Sequence, residues 1–193
     1  MNNLLFSNSS LYRFISIALL GTISAVLMFI NFPLPFLPTY LRIDISDLPA
    51  LLGGLLFNPV AAIVVLAIKN LLYLLLTAIY DPIGAIANFI AGILFVVPVS
   101  FMYYKYRTNK SVWIGLVIGA FLLIVGMSVM NYFVILPIYS SFIGWDTFTQ
   151  NQKWTLIITA IIPFNLIKAI LVGTIFYFIF LKLNKYIKKK RID

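Results

Sequence analysis

The sequence contains no cysteine, no histidine and no glutamate, so five aspartates are its only acidic side chains. Without cysteine and histidine the chain has no thiol nucleophile, no imidazole base and no ligand of the kind that usually holds zinc or haem. Disulfides are excluded for the same reason. An enzyme would therefore have very few groups to work with, and we expect the chain to be neither an enzyme nor a protein that holds zinc or haem.

Charge of either sign is also scarce, because 10% of the residues are charged whereas 63% are apolar. A soluble domain is usually about half apolar and a quarter charged. With a mean hydropathy of +1.07, the chain has more apolar surface than it can bury within itself, and lipid must cover the rest. We predict an all-α integral membrane protein that forms one transmembrane domain over residues 1–193, with no attached ATPase or receptor domain.

Six apolar runs predict six transmembrane helices, because a helix needs roughly 20 apolar residues to cross the hydrocarbon. The second run is short for a span unless protein shelters its ends. The first run is expected to be a retained helix and not a signal peptide, since no convincing small-residue cleavage site follows it. The predicted helices cover residues 14–32, 48–57, 59–79, 82–104, 111–136 and 163–182.

Prolines mark the boundaries of several of these helices. Pro33, Pro35 and Pro38 make the segment after the first helix non-helical, and we predict that residues 33–47 form a cap on the outer side. Pro163 is predicted to start the sixth helix, after a more polar segment over residues 139–153 and a short apolar stretch. The sixth helix is expected to fray into a basic tail at residues 183–193.

The positions of lysine and arginine predict that the N and C termini are both cytoplasmic. With an even number of spans, ten of the fourteen basic residues lie on the cytoplasmic side. The net charge of +9 is then explained by membrane orientation and contact with anionic lipids, and not by nucleic-acid binding. The ten residues are Arg13, Lys105, Arg107, Lys110, Lys182, Lys185, Lys188, Lys189, Lys190 and Arg191.

Four polar side chains are predicted to lie at one depth, below the loop that carries Asp44 and Asp47. Such side chains inside a span usually face a cavity or one another. Two explanations remain open: a polar pocket that opens outward, or hydrogen bonds between helices together with a lysine that extends to the interface. The four residues are Asn88, Asn131, Asn165 and Lys168, the last two on one helical face.

These residue types fit a neutral, planar, hydroxylated ligand. An asparagine carboxamide offers a paired donor and acceptor that suit an imide-like ring edge, and a lysine donates strongly to a carbonyl or hydroxyl. Flat apolar walls are expected from Phe32, Phe36, Tyr40, Tyr132 and Phe164.

Two further features of the sequence favour helix packing. Lys69 lies near the middle of the third predicted helix, where we expect a buried partner (an aspartate or backbone carbonyls) and a structural role. The first helix carries small residues at i, i+3, i+4 and i+7, which lets another helix approach closely. This strip serves either internal packing or the docking of a partner, and it comprises Ala18, Gly21, Thr22 and Ala25.

Seven short motifs occur in an order that resembles the substrate-binding S components of energy-coupling factor (ECF) vitamin transporters, in particular the riboflavin-specific members. The resemblance extends over nearly the whole chain. The motifs are Phe32-Pro33-Leu34-Pro35, the stretch Leu41 to Leu51, Lys69-Asn70, Pro82-Ile83-Gly84, Ala87-Asn88-Phe89, Asn131-Tyr132 and Pro163 to Lys168.

The resemblance implies a six-helix protein of the bacterial cell membrane that binds riboflavin near its outer surface as a transported substrate. It also implies docking on a membrane scaffold subunit and two ATPases through the small-residue strip, where Thr22 stands in place of an alanine. Many relatives carry a glutamate after the position of Gly84, whereas this chain has Ala85. The implied ligand-binding residues are Asn131, Asn165, Lys168, Asn88, Tyr40, Asp44 and Gly84.

Three alternatives remain open at this point. An S component could take another vitamin, such as thiamine or a folate-like compound. A small membrane enzyme that acts on lipids would have to use Asp44 and Asp47, and a structural assembly subunit would bind no small molecule. The chain contains no Gly-Lys dipeptide and hence no usual phosphate-binding loop, so energy for transport would come from a partner or an ion gradient.

Overall fold

The computed structural model describes residues 10–77, 82–142 and 148–189 of the chain. Two π-helical turns, π1 (Asn131–Ile135) and π2 (Ile157–Ile161), join α5 to α6 and α7 to α8. The predicted end of the third helix at residues 78–79, and the tail residues 190–193, lie outside the described residues. The helices are α1 (Ser10–Phe29), α2 (Asp47–Leu56), α3 (Pro59–Thr77), α4 (Pro82–Tyr106), α5 (Asn109–Met130), α6 (Leu136–Phe142), α7 (Gln150–Leu156) and α8 (Ile162–Lys189).

Among the described residues, five continuous helical stretches are long and apolar enough to cross a membrane. The second predicted helix corresponds to α2, which has ten residues. Its length of about 15 Å is half of a hydrocarbon thickness of about 30 Å. Eight of its residues are buried, and it packs against α1, α3, α4 and α8. Protein therefore shelters this short helix.

Pro163 does not start a helix, contrary to the prediction from the sequence. It lies inside the helical stretch that begins at Gln150, two residues after the last residue of π2. A proline in an α-helix lacks the N–H and clashes with the carbonyl four residues earlier. The wider turn of π2 accommodates Pro163, because the N–H of Ile162 bonds to the carbonyl of Ile157, five residues back.

The fifth predicted helix passes through the same kind of turn at π1. Here the N–H of Leu136 bonds to the carbonyl of Asn131, and Pro137 follows. The chain stays helical to Phe142, so part of the predicted polar segment 139–153 belongs to a long helix. Each π-turn therefore ends two residues before a proline.

The end of the chain is also more helical than predicted. We expected fraying after Lys182, whereas α8 continues to Lys189. Residues 183–189 contain neither glycine nor proline, and lysine is a good helix former. The basic tail therefore begins as a helical extension of α8.

The segment between α1 and α2 is non-helical, as its prolines predict. Its two short strands, β1 (Phe32–Pro33) and β2 (Arg42–Ile43), pair in antiparallel fashion, with Phe32 opposite Ile43. This pairing closes residues 34–41 into a hairpin. We call residues 30–46 the end loop, and the side of the helix bundle on which it lies the loop end.

At the opposite end of the bundle, α4 connects to α5 through Arg107, whose φ is 53°. The Arg107 guanidinium lies 5.4 Å from the ring of Tyr103 and 5.2 Å from that of Tyr104. Asn184 Nδ2 donates to Asn109 Oδ1 at 2.5 Å, which places the late part of α8 beside the start of α5. We call this side the Arg107 end.

Glycines set the close packing of α4 on α5. A Cβ placed on Gly119 would lie 2.5 Å from the carbonyl oxygen of Phe95, and one on Gly115 would lie 2.7 Å from the Cα of Val99. Both distances are too short for a side-chain carbon. The absence of a side chain therefore lets the two helices approach, and Phe95 and Val99 are buried in the core.

Candidate ligand-binding site

A cavity of about 600 Å³, including its open mouth, lies beneath the end loop. Six of the seven predicted ligand-binding residues line it, and the seventh, Asp44, is buried behind Lys168. The predicted convergence of polar side chains is therefore present in the structure. The lining residues are Tyr40, Leu41, Arg42, Gly84, Ala87, Asn88, Ala91, Met127, Asn131, Ile135, Tyr139, Phe164, Asn165 and Lys168.

Asn131 and Asn165 reach the cavity from beside the two π-turns. Asn131 is the first residue of π1, and Asn165 lies four residues after the last residue of π2. Asn131 Nδ2 donates to the carbonyl of Met127 at 2.7 Å, and Asn165 Nδ2 donates to that of Ile161 at 2.8 Å. Each carboxamide is therefore anchored to its own helix, which fixes where it meets a ligand.

Small residues of α4 leave the opposite wall of the cavity open. Gly84, Ala87 and Ala91 line it without filling it. Between them, the buried Asn88 Oδ1 has no hydrogen-bond partner among the residues the structure describes. A buried acceptor without a donor costs about 1–3 kcal/mol, so a ligand N–H or O–H group would be stabilised here. Ala85, which replaces the expected glutamate, does not line the cavity.

Tyr40 covers the cavity from the end loop. Its ring lies 6.1 Å from the ring of Tyr139 on α6, which also lines the cavity. Burial raises the pKa of the Tyr40 hydroxyl above its usual value, so the group stays protonated at neutral pH and can donate a hydrogen bond. Arg42, an exposed residue of the end loop, also lines the cavity.

Lys168 connects the cavity wall to two buried aspartates. Its Nζ lies 3.4 Å from Asp44 Oδ2 and 3.5 Å from Asp47 Oδ2. Lys69 Nζ lies 2.6 Å from the other oxygen of Asp47. These four side chains, which we call the charge cluster, are almost completely buried and carry no net charge. The expectation that Lys69 has a buried aspartate as partner is confirmed.

Ser46 extends the charge cluster to α1. Its backbone N–H donates to Asp44 Oδ1 at 2.8 Å, and its hydroxyl receives a bond from Lys69 Nζ at 3.0 Å. The buried Ser24 hydroxyl of α1 donates to the Ser46 carbonyl. The end loop is therefore attached to the bundle by charged and polar contacts as well as by apolar packing.

The predicted aromatic walls are present only in part. Tyr40 and Phe164 line the cavity, whereas Phe32 and Phe36 are exposed. Tyr132 also points elsewhere, since its ring packs on Trp154 with the centroids 5.1 Å apart. The prediction that these three residues form cavity walls was wrong. Hydrophobicity indicates that a side chain avoids water, but it does not indicate whether the side chain meets the cavity, the protein core or lipid.

Several lining residues were missed, although helical spacing could have found some of them. Along α5, π1 and α6, cavity residues recur every four positions around Asn131. On α4, Gly84, Ala87, Asn88 and Ala91 line the cavity at spacings of three and four residues, which again marks one face of the helix. Residues of these two sets that the sequence analysis did not single out are Ala87, Ala91, Met127, Ile135 and Tyr139.

The small-residue strip of α1 is divided between two surfaces. Gly21 and Ala25 are buried, and a Cβ on Gly21 would lie 2.6 Å from a side-chain carbon of Ile68 on α3. Ala18 and Thr22 are exposed. Internal packing therefore accounts for half of the strip, and a partner helix has access only to the other half.

An all-helical membrane fold with a polar cavity under a loop defines a membrane-embedded protein that binds a small solute. The chain belongs to a family of this class, because the family model for the substrate-specific component of ECF transporters matches residues 13–180. This family consists of transporter components and not of enzymes. The chain is accordingly a multi-pass membrane protein.

Two curated relatives are similar to this chain over nearly its full length. The riboflavin transporter FmnP of Bacillus subtilis is 38% identical over 93% of this chain and 95% of its own. The riboflavin transporter RibU of Staphylococcus aureus is 41% identical over 92% of this chain and 93% of its own. A solved structure of the S component of a bacterial ECF transporter covers 93% of this chain, with a TM-score of 0.80 and 39% identity.

Proposed function

We propose that this chain captures riboflavin from outside the cell and delivers it inward as the substrate-binding subunit of an ECF-type vitamin importer. The observation that carries the proposal is the cavity beneath the end loop, where three asparagines, a lysine and a tyrosine meet. The similarity to two riboflavin transporters supports the choice of vitamin. Riboflavin is here the transported substrate and not a cofactor.

The chemistry of the cavity matches this ligand. An isoalloxazine ring is planar and carries carbonyl acceptors and an imide N–H, and its ribityl chain carries hydroxyl groups. Asn131, Asn165 and Asn88 offer amide donors and acceptors, and Lys168 donates to an acceptor. Met127, Ile135 and several other apolar lining residues provide the surface against which a ring can pack. The charge cluster has no net charge, which suits a neutral ligand.

The contacts at the two ends of the bundle support the predicted orientation. Three basic residues lie at the Arg107 end, namely Arg13, Arg107 and Lys110. The Arg13 guanidinium is 5.9 Å from the ring of Phe57, which lies just before α3. Arg107 and Lys110 lie at the connection between α4 and α5. A concentration of basic residues favours the cytoplasmic side. With α2 counted as a sheltered sixth crossing, both termini are cytoplasmic and the cavity opens outward.

The partners in this proposal are a membrane scaffold subunit, two ATPases and the surrounding lipids. The membership in a family of substrate-specific components supports a division of labour in which other chains supply energy. The exposed residues Ala18 and Thr22 offer a small-residue surface on α1 to the scaffold. Gly21, which faces Ile68 of α3, and the buried Ala25 keep α1 close to the bundle while it docks.

Spectroscopy of the purified protein tests the proposal directly. In detergent, the protein should quench riboflavin fluorescence with a one-to-one endpoint and a nanomolar dissociation constant, equivalent to about 12 kcal/mol. Thiamine and folate in excess should not compete. A protein that ignores micromolar riboflavin, or that releases it when another vitamin is added at equal concentration, would contradict the assignment.

A further inference from the structure

The charge cluster holds its two lysines in unequal ways. Lys69 Nζ lies 2.6 Å from Asp47 Oδ1 and 3.0 Å from Ser46 Oγ, within normal hydrogen-bond lengths. Lys168 Nζ lies 3.4 and 3.5 Å from its two carboxylate oxygens. The lysine at the cavity wall therefore makes the longer contacts of the two.

This inequality follows from how Asp47 is shared. Asp47 lies at the start of α2 with its side chain 1% exposed, and its two oxygens meet two different lysines. Lys69, which is 0% exposed and does not line the cavity, compensates most of its charge. In a buried site an uncompensated carboxylate attracts a nearby ammonium strongly. If Lys69 is removed, Lys168 is the cation among the described residues that remains close enough to compensate the charge of Asp47.

We propose that Lys69 is a positioning residue for the ligand site. It compensates Asp47 from α3 and so leaves the Lys168 ammonium at the cavity wall, where a ligand acceptor can draw it away from Asp44 and Asp47. Removal of Lys69 shifts Lys168 towards Asp47 and withdraws the donor from the cavity. This inference rests on the proposed function, because riboflavin is the ligand used to detect the shift.

The first test replaces Lys69 with methionine, which keeps the length of the side chain and removes its charge. We expect Lys69→Met to weaken riboflavin binding by about tenfold or more, as for the loss of one charge-assisted hydrogen bond. At saturating riboflavin, the absorption difference spectrum of bound flavin should resemble that of Lys168→Met, since both lose the same donor. Lys110→Met, at the Arg107 end, is the matched control and should bind like the wild type.

A double variant separates positioning from simple loss of stability. In Asp47→Asn/Lys69→Met, both charges of the Lys69–Asp47 pair are removed. The asparagine at position 47 can still accept a hydrogen bond from Lys168, and Asp44 still compensates the charge of Lys168. We expect a dissociation constant within about threefold of wild type, so that the effects of the two changes are strongly non-additive. This variant decides the question even when Lys69→Met alone does not fold.

Three results would overturn the inference. One is a folded Lys69→Met protein with wild-type affinity and flavin spectrum. Another is a folded double variant that binds as weakly as Lys168→Met, and the third is a double variant that fails to fold although its charges balance. Failure of the wild-type protein to bind riboflavin would instead reject the proposed function.

Discussion

At the scale of single residues, the chemistry of the candidate site rests on side chains that are costly to bury alone. Asn131, Asn165 and Lys168 are recognisable from the sequence because each interrupts an apolar run. Their partners are not recognisable in the same way: Lys168 meets Asp44, which lies 124 positions earlier in the chain. Only the folded bundle brings such distant positions together, so pairing had to be observed.

A first prediction concerns the asparagine carboxamides. Replacing Asn165 with leucine removes a donor and an acceptor from the cavity wall at similar volume. We expect riboflavin affinity to fall by about ten- to a hundredfold, because a buried polar group of the ligand is left without a partner at a cost of about 1–3 kcal/mol. Fluorescence titration measures the change. Asn151→Leu, on the exposed side of α7, is the control, and equal losses in both variants would contradict this role.

A second prediction concerns Asp47 on its own. Asp47→Asn leaves Lys69 buried opposite a neutral group, and breaking a buried pair from one side typically costs about 3–5 kcal/mol. The melting temperature in detergent should therefore fall sharply. The double variant with Lys69→Met should recover most of the loss. A single variant as stable as the wild type would show that water or another group compensates Lys69.

At the scale of helical elements, the sequence predicts which segments are helical better than it predicts where helices bend. Apolar length identifies the membrane helices, and Pro59 and Pro82 mark true helix starts. Pro163 has the same local signal but lies inside a helix. The difference arises from π2, whose extra residue per turn accommodates the proline, and nothing in the local composition distinguishes the two cases.

A third prediction tests the π-turns. A π-turn corresponds to one residue inserted into an α-helix, so deletion of Phe133 from π1 should restore a regular helix and keep the flanking pieces in phase. We expect the fold to persist, since the Phe133 side chain is 70% exposed. Riboflavin binding should fall by at least about tenfold, because Asn131 and Ile135, at the two ends of π1, change their relative positions.

Circular dichroism and riboflavin titration together measure this outcome. Phe133→Leu keeps the number of residues in π1 and is the matched control, with affinity close to that of the wild type. A deletion variant that binds riboflavin normally would show that the cavity does not depend on the wider turn.

A fourth prediction concerns the contact between α4 and α5. A valine at Gly119 has no room, since even its Cβ would lie 2.5 Å from the Phe95 carbonyl oxygen. Overpacking of this kind typically costs about 1–3 kcal/mol, and thermal unfolding should show it. Gly173→Ala is the control, because its Cβ would meet other atoms at no less than 3.5 Å. Equal stability of both variants would contradict the close approach.

At the scale of the whole molecule, the candidate ligand site and the proposed docking surface lie on different parts of the protein. The cavity lies under the end loop, whereas the exposed small residues lie on the outer face of α1. Ala18→Trp should therefore leave riboflavin affinity within about twofold of wild type, as expected for independent sites. It should reduce copurification with the scaffold and ATPases, because a large side chain blocks close helix contact.

The measurement is a comparison of riboflavin binding with complex formation for the same variant. Val26→Trp, which also places a large side chain on an exposed position of α1, is the control at a site outside the small-residue strip. Normal assembly of Ala18→Trp would move the docking surface elsewhere on the protein.

The tight pairing of Lys69 with Asp47 also constrains how the chain enters the bilayer during synthesis. A lone lysine near the centre of a membrane helix costs roughly 2.5–3.5 kcal/mol on insertion scales, and α2 is too short to cross by itself. Only Phe57 and Asn58 separate the two helices. We therefore expect α2 and α3 to enter the bilayer together as one hairpin, in which Asp47 and Lys69 neutralise each other before either meets lipid, so that this pair also lowers the cost of inserting α3.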